Sequence, residues 1–151
     1  MNMLDHMNTS KLKGTFLLNI KDRDGTIIKA ISEPNLIVNG SKSILAALVG
    51  GVGQPISKIG VGTGTIAADL TDTGLTDPYY KNIVSVTYPS SPEWAQFNWY
   101  LAYDELVDVT ISEFGLFTAA NLLFSRKVYT PIPKSADMAF EGQWTIKFFQ
   151  E

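Results

Sequence analysis

The chain has no cysteine and a single histidine in 151 residues. The first absence excludes disulfides, thiolate catalysis and cysteine-ligated zinc or iron–sulfur sites. The second confines any serine–histidine mechanism to His6, in a polar leader beside Met3 and Met7. Chain ends fray, so that is a poor place for a catalytic base. Charge is also scarce: charged residues make up 18% of the chain, against the usual quarter. A deficit of that kind points to surface covered by partner chains. The net charge of −3 and pI near 5.1 give no basic footprint, so neither nucleic acid nor an anionic membrane is an expected partner. Long apolar runs are missing too. "ILAALVGGVG" is too short to span a bilayer, and "MNMLDHMNTSKLKG" has no apolar core of a secretory signal.

What is present is apolar and strand-like. Hydrophobic residues reach 45%, enough for one core in one domain of this length. "GTFLLNIKDRDGTIIKAIS" reads as a hairpin, with Gly25 supplying the positive φ of a tight turn. In "EPNLIVNG", Pro34 breaks or offsets the strand. "GSKSILAALVGG" is the convincing helix: Ser41 caps it, Ile44, Leu45 and Leu48 form one face, and Gly50 and Gly51 end it. Strand patterns follow in "ISKIGVG", "IVSVTY", "WAQFNWYLAY", "ELVDVTISEFGLF", "NLLFSRKVYTPI" and "AFEGQWTIKFFQ". The expectation is an all-β protein, an antiparallel sandwich or flattened barrel of about seven or eight strands, with one short helix near residues 41–49. Residues 1–13 are expected to form a flexible arm that contacts a neighbouring protein, and residues 14–151 the single domain.

Three motifs carry competing readings. "GVGTGT" follows a strand, as phosphate-binding loops do, but it lacks the Lys and Ser/Thr of a P-loop and no helix follows. The glycines instead suggest a bulge or a close backbone approach. Asp69, Asp72 and Asp77, interleaved with threonines, offer oxygens to calcium without the EF-hand spacing; Asx and hydroxyl turns explain the same composition. Tyr79, Tyr80 and Trp94 are candidate interface aromatics, and an exposed aromatic platform would equally suit a sugar. Strand parity puts Phe97, Trp99, Leu101 and Tyr103 on one face and Asn98, Tyr100 and Ala102 on the other.

The sharpest local expectation comes from "TISEFGLFTAANLLFSRKVY". With the turn at "TAAN", Phe117 faces Leu122, Gly115 faces Phe124 and Glu113 faces Arg126. Val109, Ile111, Phe117, Leu122 and Val128 share the face of that pair. A charge on an apolar face is costly unless it is satisfied, and a planar guanidinium can satisfy a carboxylate in a fork. The expectation is a structural ion pair between Glu113 and Arg126, with Arg126 also able to reach a neighbouring chain. No second carboxylate falls in register, so a glycosidase-type pair is not indicated. No catalytic residue, metal or cofactor is expected.

The order of these motifs resembles bacteriophage tail-fibre, baseplate and neck-type virion proteins. The resemblance rests on "ISEFGLF", "NLLFSRKVYTPIPKS" and "WTIKFF", preceded by "NLIVNGSKSILAALVGG", "ISKIGVGTGT" and "LTDTGLTDP", over roughly residues 35–149. Glu113, Gly115, Leu116, Phe117, Arg126 and Lys134 match its pattern position by position. It implies a non-enzymatic structural subunit of the virion, assembled in the host cytoplasm, whose partners are copies of itself and other virion proteins. The chain lacks a repetitive shaft and a receptor-binding head, which favours a small adaptor, baseplate, collar or fibre-attachment subunit over a fibre proper. The alternative function is a carbohydrate-binding β-sandwich for host attachment, making a weak surface-glycan contact.

Overall fold

The structure is a computed structural model that describes residues 10–89 and 93–150. Among them run nine strands and one helix: β1 (Ser10–Lys21), β2 (Ile27–Ile37), α1 (Gly40–Val49), β3 (Ile56–Gly62), β4 (Tyr79–Asn82), β5 (Ser85–Thr87), β6 (Trp94–Leu101), β7 (Thr110–Thr118), β8 (Leu123–Pro133) and β9 (Ala139–Gln150). The strands form one antiparallel sheet in the order β4-β3-β7-β8-β2-β1-β9-β6-β5. The sheet curls into a half-barrel, nearer to the flattened barrel than to two separate sheets.

Two corners produce the curl. β2 pairs with β1 as far as Asn35 opposite Gly14, then with β8 through Leu36 and Ile37. Pro34 stands at this switch, which fits its missing N–H donor. The second corner lies between β4 and β5. These are the two edges of the sheet, yet the chain passes from one to the other through Ile83 and Val84. Folding the sheet at these corners brings β1 and β6 against β7: the Phe16 ring lies 4.8 Å from Phe114 and 5.2 Å from Trp144, and Trp99 lies 5.8 Å from Phe114. These aromatic contacts, with Leu18, Ile59, Leu116 and Phe140, make the main core. Strand parity in β6 holds, with Phe97, Trp99 and Leu101 buried.

Local chemistry explains the connections. In the β1–β2 turn Asp22 accepts from the amides of Asp24 and Thr26, and Gly25 takes φ 80°. The helix ends at Gly50 and Gly51, whose amides bond back to Ala46 and Leu48. Its start differs from expectation: Asn39 holds the cap position without a side-chain bond, and Ser41 lies buried in the first turn. Ser10–Lys13, expected within the arm, instead extend β1 and pair with Lys147–Gln150. The rest of the expected arm, residues 1–9, lies outside the described residues.

The β7–β8 register also differs. The turn closes by Asn121 N–H to Thr118 O and Thr118 N–H to Leu122 O, with Asn121 at φ 63°. A register shift between Leu116 and Phe117 then sets Phe117 opposite Leu123, Gly115 opposite Arg126 and Glu113 opposite Val128. Leu122 is left outside the core, 55% exposed. Over Glu113–Leu116 the displacement is two residues, so Glu113 and Arg126 keep a common face. A second shift between Ile111 and Glu113 takes Ile111, expected on the face of that pair, into the main core with Phe114 and Leu116.

Candidate functional site

β7 is buried along Ile111–Thr118 on both faces, which an antiparallel strand with one solvated face would not be. Phe114 and Leu116 join the main core, while Phe117 packs in a second small cluster with Val38, Leu123, Leu75 and Tyr80. That second face is roofed by the loop between β3 and β4, residues 63–78. Glu113 and Arg126 lie beneath this roof and hold it down.

Arg126 Nη2 donates to Glu113 Oε2 at 2.8 Å and to the Ile66 carbonyl at 2.9 Å; Nη1 donates to Asp72 Oδ2 at 2.8 Å. Glu113 Oε1 accepts the Thr76 amide. The expected pair therefore forms across a diagonal rather than directly opposite, within reach of long side chains. The Arg126 and Glu113 side chains are 6% and 1% exposed, so both terminal nitrogens of Arg126 find their partners inside the protein rather than in water, while its buried Nε has none. Burial alone would lower the Arg126 pKa, but the bonds to Glu113 and Asp72 outweigh it and hold the guanidinium above its ordinary value.

The acidic loop works as turn chemistry and as the receiving end of this clamp. Asp69 Oδ1 accepts the Thr71 amide and hydroxyl, which keeps its carboxyl below the usual range. Asp72 Oδ2 accepts the Asp69 amide at 2.8 Å while it holds Arg126. The loop is further pinned by Asn39 N–H to Leu70 O, Thr63 N–H to Thr76 O and Ser112 Oγ to Gly64 O. Among the described residues no group of three His, Cys, Asp or Glu could hold a metal.

"GVGTGT" has its explanation in the same place. A Cβ at Gly62 would lie 2.6 Å from the Glu113 carboxylate and 2.8 Å from the Thr76 carbonyl, and one at Gly64 would collide with Glu113. Side chains there would push the roof off the sheet, so the glycines serve close approach and not phosphate. Gly115 likewise leaves room for Phe117 and Leu123.

Lys134 belongs to a different clamp. It is buried, and its Nζ donates to the carbonyls of Tyr103 at 3.2 Å and Ser135 at 3.4 Å. Burial lowers its pKa, partly offset by Glu105 and Asp104. Its backbone bonds to Asp108 and Val109, beside the left-handed Leu106 and Asp108. Glu105 secures the same β6–β7 loop: it accepts the Ala102 amide at 2.9 Å and the Tyr79 hydroxyl at 2.5 Å, and pairs with Lys81. Burial would raise the Glu105 pKa, yet these partners together hold it below its ordinary value, and the Tyr79 pKa is raised by the carboxylate.

The candidate interface aromatics are dispersed. Tyr79 is bound to Glu105; Tyr80 packs edge-on to Phe117 at 5.0 Å; Trp94 is covered by the Lys147 ammonium at 3.8 Å. Trp99 and Trp144 are buried, so neither can stack on a sugar. Sequence reasoning missed an apolar groove between α1 and the β5–β6–β9 end of the sheet. It encloses about 230 Å³ and is lined wholly by apolar and aromatic residues, including Leu45, Leu48, Val86, Tyr88, Phe97 and Phe148. The exposed Leu48 face of the helix was its one legible signal.

No family model, curated protein or solved structure matches the chain. No helix among the described residues is long and apolar enough to cross a membrane.

Proposed function

We propose that the chain is a non-enzymatic assembly subunit of a bacteriophage virion, of the tail, baseplate, collar or fibre-attachment region. The observation that carries this reading is the use to which the buried charges are put. Glu113, Arg126 and Lys134, all matching positions of the virion-protein pattern, bond to loops of their own chain. Such groups stiffen a scaffold and fix its surface shape; they are not presented to a substrate. The low charge content and the open apolar groove support the same reading, because both suit a surface that other chains cover.

The test is incorporation. Particles of a phage encoding the chain should contain it at a fixed copy number, and the purified protein should self-associate in sedimentation velocity or associate with a co-expressed virion protein. Absence from purified particles, together with a monomer that gains no partner, would overturn the proposal.

A further inference from the structure

We propose that the open edge of β2, Ile27–Glu33, pairs with the same edge of a second copy of this chain. β2 meets β8 only at Leu36 and Ile37. Before Pro34 it pairs with β1 on one side, and no strand among the described residues pairs with its other side. An open edge presents a row of N–H and C=O groups to any extended chain, so folded proteins blunt such edges with short strands, prolines or charges. The other edges here are blunted. β4 and β5 are four and three residues long, and β8, beyond its contact with β2, carries Pro131 and Pro133. The β2 edge runs through "IIKAISE" with no proline, long enough for an ordinary strand pairing of about 5–6 residues. Ile27 and Ile28 are 50% and 53% exposed, and Lys29, Ala30 and Ser32 are exposed beside them. Its two charged side chains turn towards β8 and do not guard the backbone: Lys29 lies over the Tyr129 ring at 5.3 Å, and Glu33 accepts from the Lys127 ammonium at 2.6 Å.

The pattern of the segment points to a second copy as the occupant. An antiparallel pairing about a two-fold axis at Ala30 uses the whole free segment and stops short of Pro34. It sets Lys29 opposite Ile31, Ile28 opposite Ser32 and Ile27 opposite Glu33. Each pair shares its side of the strand, so the face of the buried Ile31 meets the same face of the other copy. No like charges stand directly opposite, and Lys29 lies diagonal to the other copy's Glu33 as well as to its Lys29. Both copies bring an open row of backbone groups, so one contact satisfies two edges. This inference rests on the edge and its register, not on the virion reading, which incorporation into particles tests separately.

Because the chain has no cysteine, a single introduced thiol can read the register. Ala30→Cys stands on the two-fold axis, within the Cα separation of about 7 Å that a disulfide needs, and should give a cross-linked dimer under mild oxidation. Ile28→Cys, equally exposed, would lie about 13 Å along the strand from its counterpart and should stay largely uncross-linked. In sedimentation velocity the wild type should dimerise. Ala30→Lys, which sets two ammonium groups against each other on the axis, should weaken the dimer several-fold, and mixing it with Ala30→Glu should restore dimers. A wild type that stays monomeric, equal cross-linking of the two cysteine variants, or an Ala30→Lys protein that dimerises like the wild type would overturn the proposal.

Discussion

The roofed face of β7–β8 and the groove beside α1 are two answers to one problem. Each is a sheet surface too apolar to leave in water. On β7–β8 the chain supplies its own cover, residues 63–78, and that cover is polar. A polar loop stays on an apolar face only if its backbone groups find partners, and Glu113, Arg126 and Asp72 are those partners. In the groove the lining side chains are apolar, so a cover must match by shape and hydrophobic area alone. The first surface is therefore fixed by directional bonds, and the second is open to an exchangeable occupant.

The largest expected effect is on the roofed side. Arg126→Met strips a buried cation from two carboxylates and should cost about 3–5 kcal/mol in denaturant unfolding. Reversing the pair, Glu113→Arg with Arg126→Glu, should recover only part of the loss of Glu113→Arg, because Asp72 would then face a carboxylate. Full recovery would mean that Asp72 takes no part in the clamp.

The β6–β7 loop gives a smaller, pH-dependent effect. The Glu105 carboxyl is held below its unfolded value, so its folded state binds fewer protons than its unfolded state. The stability it contributes is present above the unfolded pKa, near 4.5, and is lost as pH falls through the lower folded value. Glu105→Gln should flatten that part of the acid unfolding profile while leaving neutral-pH behaviour two-state. An unchanged acid limb would remove Glu105 from the account.

Two changes should be milder still. Asp69→Ala removes an exposed Asx turn and should lower the denaturant midpoint by less than either change above. Leu48→Ser in the groove should move the monomer's stability by no more than about 0.5 kcal/mol, as surface changes do, while weakening whatever covers it. A loss from Leu48→Ser as large as that from Arg126→Met would erase the distinction between the two surfaces.

The legible part of the fold followed from period and turn chemistry. Strands, the helix and the "DRDG" turn are local features, and Pro34 marked a real corner. Glu113 and Arg126 could be paired because a two-residue slip preserves the face of a strand. The slip itself was hidden, since it arises where Asn121 adopts a left-handed conformation and Leu122 leaves the strand. The far partners were hidden for another reason. Thr76 lies 37 residues from Glu113, and Asp72 lies 54 from Arg126; nothing local links them. The glycines of "GVGTGT" could be assigned to close approach, but what approached them was visible only once the loop was folded over β7.

The most direct test of the clamp is amide hydrogen exchange at Thr76 and Asp69, whose N–H groups bond to Glu113 and Asp72. In Arg126→Met both amides should exchange at least about ten-fold faster under conditions where exchange proceeds by local opening. Amides in the β1–β9 ladder should keep their wild-type protection relative to global stability. If Thr76 and Asp69 stay as protected as in the wild type, the pair does not hold the roof, and the loop is secured by other contacts.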